Sequence, residues 1–218
     1  MSSFIEAWKN AFSLYSLHGA RSSKKVDSFH NFIKSEIQKC IDEVEVSHIF
    51  SVCLEKDVKS YNSSGKKKCD IVVCVKGEPY IVFPVKIPMT NYKQNKNNNW
   101  ENLTGECCHL RWANPDLKIV PINIFIDKTP YLKSDGAIGK FENITYSDIE
   151  VYNNLKERGI VNECYNFIFD VEQADGIGEK YKNMPNIVGY NEKTPYKSFR
   201  KMIAQLFSEC HLIQNSTA

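Results

Sequence analysis

The sequence predicts an α/β fold, in which a helix, three consecutive strands, a second helix and a further strand form the core. Residues 28–44 carry apolar side chains at helical spacing. Two nearly continuous apolar runs, 66–75 and 80–88, flank a Gly-Glu-Pro turn. Because such apolar runs are typical of strands covered on both faces, they predict a central hairpin with helices packed against it.

The other elements follow from the same periodicities, and together they predict one domain spanning residues 1–218. Its core covers about 28–127, and 128–218 form a C-terminal α/β elaboration. Pro84 cannot donate a ladder hydrogen bond, so an interruption is expected there. The remaining predicted elements are a short helix within 1–26, a strand at 48–60, a helix from about Asn97 to Arg111, a strand at 117–126, a helix opened by a capping box at Ser147–Glu150 and closed at Gly159, a strand at 164–171, a turn at Asp175–Gly178 and a helix at 197–207.

Composition excludes several classes of protein. The formal net charge is only +2, so attraction to nucleic acid would depend on local patches. No apolar run reaches membrane-spanning length, and no signal-peptide pattern opens the chain, so we expect a cytoplasmic protein without membrane contact. The eight cysteines show neither CxxC pairs nor zinc spacing, and are expected to be reduced thiols that pack as small hydrophobes. The sequence contains no GxSxG or HExxH motif, so no motif indicates another hydrolase class.

Charged residues fall at the ends of the two central strands. Asp70 stands at the head of the first strand, and Lys86 stands near the end of the second. The following helix carries Glu101 and Glu106, on either edge of its apolar stripe, and periodicity alone does not choose between them. An acid and a lysine on adjacent strands, beside a helix with more acids, predict a site for a metal and a base.

This arrangement resembles the PD-(D/E)XK nuclease superfamily. Cys69-Asp70 matches the first motif position, and Pro84-Val85-Lys86 matches the second. The chain departs from the pattern at Pro84, because proline replaces the second carboxylate and cannot bind a metal. Some restriction endonucleases of this superfamily carry that glutamate on the next helix. The resemblance covers about the first 130 residues.

The resemblance implies Mg²⁺, with two ions per site possible. Asp70, the backbone carbonyl of Val85 and Glu101 would bind the metal, and Glu106 is the alternative acid. The spacing after the lysine ranks Glu101 slightly first. Lys86 would orient or deprotonate the attacking water and screen the phosphate, the more so if burial lowers its pKa. Glu36, on the first helix, is a weaker candidate.

Basic and amide side chains surround the proposed site in the sequence. Lysines contact phosphates, and Asn or Gln side chains pair with adenine edges. A solvated loop of the same composition is the alternative interpretation. The predicted DNA-binding residues are Lys66, Lys67, Lys68, Asn91, Tyr92, Lys93, Gln94, Asn95 and Lys96.

By this resemblance the chain is a Mg²⁺-dependent endonuclease of double-stranded DNA, most similar to a type II restriction enzyme and therefore expected to be a homodimer. Three alternatives remain open. Pro84 favours a catalytically inactive DNA-binding protein of the same fold. His30, on the first helix, favours an RNA-directed endonuclease of the superfamily. An interaction protein with a generic α/β fold would leave Asp70 and Lys86 far apart.

Overall fold

The computed structural model describes residues 2–18, 24–43, 47–190, 200–201 and 203–208. Helices pack on both faces of mixed β-sheets, so the predicted α/β class is confirmed. The helices are α1 (Ser2–His18), α2 (Lys24–Asp42), α3 (Tyr92–Ala113), α4 (Tyr146–Ile149) and α5 (Asn154–Glu157), with 3-10 turns at Ser47–Ile49 and Glu150–Asn153. The strands are β1 (Phe50–Lys59), β2 (Lys66–Val75), β3 (Glu78–Phe83), β4 (Val85–Lys86), β5 (Lys118–Ile119), β6 (Ile122–Ile126), β7 (Lys128–Leu132), β8 (Ile138–Asn143), β9 (Tyr165–Glu172) and β10 (Asn186–Tyr190).

Eight of the ten strands in the described residues form two four-stranded sheets that continue into each other, and β7 pairs with β8 in a separate two-stranded sheet. The orders of the four-stranded sheets are β1-β2-β3-β5 and β10-β9-β6-β4. Pro84 separates β3 from β4, as expected from its missing amide hydrogen, and Pro121 lies between β5 and β6. The amide of Ile122 donates to the carbonyl of Pro84, so parallel hydrogen bonding continues from the β3–β5 pair to the β4–β6 pair. β1, β2 and β3 form an antiparallel meander, and α3 connects β3 and β4 to the parallel strands β5 and β6.

Each face of the sheet has its own hydrophobic core. Side chains that alternate along β2, β3 and β6 point to opposite faces, so these strands are apolar throughout. Complete burial of one large aliphatic or aromatic side chain contributes about 1.5–3 kcal/mol. The first core packs α1 and α2 and includes Trp8, Phe12, Phe29, Ile37, Ile71, Phe83 and Ile124. The second packs α3, α4 and α5 and includes Val72, Val82, Leu103, Cys107, Leu110, Phe125 and Tyr152.

The β1–β2 hairpin passes from the first core to the second. Phe50 and Val52 pack in the first core, whereas Val58 lies in the second. The change of face occurs around Glu55, which has a left-handed φ of 54°. At the tip of the hairpin, the amide of Tyr61 donates to the carbonyl of His109 on α3. The hairpin therefore bends over α3, and β2 leaves the sheet beside β4.

Several predicted boundaries were wrong. α3 begins at Tyr92 rather than near Asn97, because tertiary contacts hold a segment of weak helix formers. Tyr92 is fully buried, and the carboxylate of Glu142 accepts the amide of Lys93 at 2.9 Å in the first turn. The capping box joins Thr145 to Asp148, two residues before its predicted position.

The C-terminal third differs from the sequence prediction in extent. The expected helix from residue 147 to Gly159 is divided into α4, a 3-10 turn and α5, and Gly159 ends it with a φ of 67°. The hairpin β7–β8 and strand β10 were not predicted, whereas β9 was. Residues 200–201 and 203–208 are helical, which confirms that part of the predicted helix at 197–207; its remainder lies outside the described residues. No helix in the described ranges is long and apolar enough to cross a membrane.

The described cysteines have free thiols, as expected from their spacing. Burial raises the pKa of Cys69 and of Cys164 to about 12, so both remain neutral thiols near neutral pH. Their role is to pack in the second core. The free cysteines are Cys40, Cys53, Cys69, Cys74, Cys107, Cys108 and Cys164, and Cys210 lies outside the described residues.

Asp175 organises the loop between β9 and β10. Its Oδ2 accepts the backbone amides of Lys182 and Asn183, each at 2.7 Å, and its Oδ1 accepts the side-chain amide of Asn183. Burial alone would raise the pKa of Asp175, but these hydrogen bonds outweigh it and lower the pKa. The charged carboxylate is therefore the form that stabilises the loop.

We expect Asp175→Asn to lower the free energy of unfolding by about 2 kcal/mol at neutral pH. The substitution replaces one carboxylate oxygen by an NH₂ group, which then faces an N–H donor of Lys182 or Asn183. The folded pKa is lower than the unfolded value of about 3.9, so the contribution is complete above that value and is lost as pH falls through the folded pKa. Urea unfolding from pH 2 to 7 would show the difference from the original protein shrinking toward acid. The exposed Asp116→Asn is the control, and a difference independent of pH would contradict the assignment.

Candidate functional site

The candidate site lies at Pro84, where the pairing of β2 with β3 ends and β4 begins. Asp70 is one residue beyond the last β2–β3 pair, Ile71 with Phe83, and therefore stands opposite Pro84. Its Oδ2 accepts the amide of Val85 at 2.7 Å. The carboxylate thus completes a hydrogen bond that the ladder no longer provides. Its Oδ1 has no hydrogen-bond partner in the described part of the chain, and is available to a ligand.

Lys86 and Glu106 form the second part of the site. The Lys86 Nζ lies 3.1 Å from Oε2 of Glu106, and the Lys67 Nζ lies 3.7 Å from the same oxygen. The Glu106 side chain is only 9% exposed, so its ion pairs are screened less than surface pairs. Burial alone would lower the pKa of Lys86, but the charges of Glu106 and Asp70 outweigh it and raise the pKa. The pKa of Lys86 is therefore raised rather than lowered, contrary to that part of the expectation.

Glu106 lies beside Lys86, whereas Glu101 lies elsewhere on α3. Five residues of an α-helix correspond to a rotation of about 140°, and Glu101 is exposed to solvent. Glu106 instead flanks the buried face formed by Leu103, Cys107 and Leu110. The structure therefore brings the second-ranked glutamate to the lysine.

His30 is buried near Asp70, and the sequence did not predict it as a catalytic residue. It is 4% exposed, and its Nε2 has no hydrogen-bond partner within the described residues. Burial lowers the pKa of His30, and the charge of Asp70 opposes this shift. The sequence signal was its position on the same helical stripe as Ile33 and Ile37. Glu36, also on α2, forms an ion pair with Lys39.

The residues predicted to bind DNA occupy two regions. Lys66 pairs with Asp57, and Lys68 pairs with Glu55, on the exposed face of the β1–β2 hairpin. Residues 91–96 form the N-cap and the first turn of α3 instead of a loop. The Asn91 side chain bonds to the backbone of Leu132 and donates to the Gln94 side chain, and the Asn95 side chain donates to the carbonyl of Asn91. Tyr92 is buried, Lys93 pairs with Asp148, and Lys96 is partly exposed.

A cleft of about 410 Å³ extends from Lys86 along the edge of β4. Asn95 and Asn99 of α3 line one side, and Tyr15 and Val26 line the other. β4 is the edge strand of its sheet. Lys86 therefore both pairs with Glu106 and lines the cleft.

No group of three or more His, Cys, Asp or Glu in the described ranges could hold a metal ion, so a cation here would depend on waters and substrate for most of its ligands. Magnesium commonly binds one or two carboxylates and completes its shell with waters and substrate phosphates. Asp70 Oδ1 and Glu106 Oε1 are free of hydrogen bonds to the described residues. The carbonyl of Val85, whose amide contacts Asp70, remains the predicted third protein ligand.

Glu55 lies directly across the β1–β2 ladder from Asp70 and adopts a left-handed φ of 54°. Such a conformation costs a non-glycine residue about 1–2 kcal/mol. We therefore expect Glu55→Gly to raise the free energy of unfolding by about 1 kcal/mol.

The matched control is Asp57→Gly, two residues along the same strand, where φ is ordinary and glycine weakens the strand. Chemical unfolding of both variants tests the assignment. Equal destabilisation by the two glycines would show that Glu55 carries no strain.

Comparison of the chain with known protein families, with characterised proteins and with solved structures found no match. The site is therefore interpreted from its own residues. Asp70, Lys86 and Glu106 lie near the split in the sheet: Lys86 is ion-paired with Glu106, and the charges of both Glu106 and Asp70 raise its pKa. Such a set of groups can bind a divalent cation and a phosphate group.

Proposed function

We propose that this protein is a Mg²⁺-dependent nuclease that hydrolyses phosphodiester bonds. The observation that carries the proposal is the ion pair of Lys86 with Glu106, adjacent to Asp70 at the point where β2 leaves β4. Metal-dependent phosphodiester hydrolysis needs carboxylates to bind the cation and a positive charge near the phosphate. All three groups converge here from β2, β4 and α3.

The order of elements supports the resemblance to PD-(D/E)XK nucleases. α2, the β1–β2–β3 meander, α3 and the parallel strand β6 follow the helix, meander, helix and strand of that core. Glu106 supplies a carboxylate that Pro84 cannot, from the helix after the lysine strand. This weakens the case for an inactive protein, which rested on Pro84.

Each residue has a distinct role in the proposed reaction. Bound Mg²⁺ would supply Lewis-acid polarisation of the phosphate and a more acidic water. Asp70 and Glu106 would hold the cation, and the Val85 carbonyl is the third candidate ligand. Lys86 orients the attacking water and stabilises the charge that develops on the phosphate, and Lys67 adds a second positive charge on the same side.

The resemblance extends the proposal to double-stranded DNA cut by a homodimer, as in restriction enzymes. Lys66, Lys67 and Lys68 on the hairpin would then contact backbone phosphates. The second candidate substrate is RNA. His30, buried beside Asp70 with an unpaired Nε2, favours that branch of the superfamily.

We expect cleavage of mixed-sequence duplex DNA, single-stranded DNA or RNA to require Mg²⁺, to stop in EDTA and to resume with excess Mg²⁺. Lys86→Ala should reduce the rate about 10²-fold or more, because it removes the cation nearest the reacting phosphate. Lys156→Ala, which breaks an exposed ion pair between α5 and Glu163, is the control. Gel analysis of all three substrates tests this; a folded protein that cuts none of them would contradict the proposed function.

A further inference from the structure

The cleft beside Lys86 has a wall of amide side chains that leads to the candidate active site. Asn95, Asn99 and Asn102, here called the amide stripe, precede Glu106 at intervals of four, three and four residues. At about 100° per residue, all four side chains fall within about 60° around the α3 axis. Asn95 and Asn99 line the cleft, and Glu106 contacts Lys86. One edge of α3 therefore runs from the cleft to Glu106 of the candidate active site.

The rest of the cleft is apolar and aromatic. Val26 and Met89 contribute aliphatic walls, and the buried side chains of Tyr15, Phe125 and Tyr152 contribute rings to the lining. Its volume of about 410 Å³ lies within the range typical of small-molecule sites, which combine apolar walls with a few polar groups. Unpaired bases are bound by this combination, with aromatic contacts on the ring and hydrogen bonds on its edge.

The amides are able to form new hydrogen bonds. The Asn99 side chain makes no hydrogen bond within the described residues. Asn95 uses its Nδ2 to donate to the carbonyl of Asn91 at 2.9 Å, which leaves its Oδ1 as an acceptor. A free acceptor beside an amide that both donates and accepts matches a base edge where an amino group adjoins a ring nitrogen, as in adenine and cytosine; the larger purine ring, which buries more surface against the apolar walls, favours adenine.

We propose that this cleft binds one unpaired nucleobase of the substrate strand, with adenine preferred, next to the phosphate held at Lys86. This inference rests on the proposed nuclease function and adds a specificity site to it. The volume of about 410 Å³ suits one base with its sugar, and contact of the base ring with the cleft walls needs a base that is not stacked in a duplex. The substrate is therefore single-stranded at this position, or the base leaves the duplex to enter the cleft.

Binding can be measured without cleavage, in the full-length protein with EDTA present. The probes are AMP, GMP, CMP and UMP, followed by five-nucleotide single strands with one variable base, in isothermal titration. We expect AMP to bind most tightly. Asn99→Leu, which keeps the approximate size of the side chain and removes its hydrogen bonds, should weaken AMP binding about tenfold and reduce the preference among bases.

Asn98→Leu is the matched control, because Asn98 is exposed one residue away and does not line the cleft. It should leave both affinity and preference unchanged. Equal affinity for all four nucleotides, or equal effects of the two leucine variants, would overturn the base site.

Cleavage in Mg²⁺ separates this inference from the proposed function. Base-selective binding without cleavage would support the cleft and contradict the nuclease. Cleavage whose base preference is unchanged by Asn99→Leu would support the nuclease and overturn the cleft. Cleavage next to a preferred base, with that preference flattened in Asn99→Leu alone, would support both.

Discussion

Asp70→Asn will reduce metal-dependent cleavage about 10³-fold and leave the protein folded. The asparagine oxygen can still accept the amide of Val85, which the Asp70 carboxylate accepts at 2.7 Å. The substitution removes the negative charge, and with it one of the two carboxylates proposed to bind Mg²⁺. Loss of transition-state charge stabilisation on this scale is typical of electrostatic groups in active sites.

Two companion variants separate charge from structure at this position. Asp70→Ala also removes the acceptor for Val85, so its free energy of unfolding should fall by about 1–2 kcal/mol relative to Asp70→Asn. Asp57→Asn changes an exposed carboxylate on β1 and should cut at the original rate. Steady-state rates and urea unfolding measure the two effects independently. Full activity in Asp70→Asn would mean that Asp70 serves only to bridge the break at Pro84.

Local patterns in the sequence were sufficient to predict the central hairpin and the helix before it. β2 has the predicted bounds of 66–75, because a loop that ends at Gly65 precedes it and a turn that contains Gly77 follows it. α2 follows from its apolar stripe, and the interruption at Pro84 follows from its missing amide hydrogen. In each case the determining interactions lie within a few residues along the chain.

Elements held by distant residues could not be predicted in this way. The first turn of α3 depends on Glu142, about fifty residues away, and on burial of Tyr92. β10 contains Gly189 and pairs with β9 across a bulge, so it lacks a strong strand pattern of its own. Tertiary contacts overrode weak local preferences at both places.

The candidate site combines predictable and unpredictable parts. Asp70 and Lys86 were expected to meet because neighbouring strands of a meander place their ends together. Periodicity placed Glu101 and Glu106 on opposite edges of one apolar face, and only the packing of α3 against the sheet decides which edge meets Lys86. The cleft joins α1, α2, α3 and β4, so no single segment of sequence could reveal it.

The two glutamates of α3 form a matched pair of variants. We expect Glu106→Gln to reduce cleavage about 10²–10³-fold, because it removes one proposed metal ligand and leaves Lys86 and Lys67 without their shared anion. Glu101→Gln changes the same functional group on the same helix, at an exposed position about 140° away. Its rate should remain within about twofold of the original, as is usual for exposed substitutions away from a site.

Metal affinity gives a second readout that does not depend on turnover. Titration of Mg²⁺ or Mn²⁺ by calorimetry should show weaker binding in Glu106→Gln and unchanged binding in Glu101→Gln. Thermal unfolding checks that the Glu106 variant is folded, since Lys86 loses a partly buried ion pair. If Glu101→Gln instead abolished metal binding and cleavage while Glu106→Gln kept both, α3 would have to rotate when metal binds, because in the structure it is Glu106 that contacts Lys86.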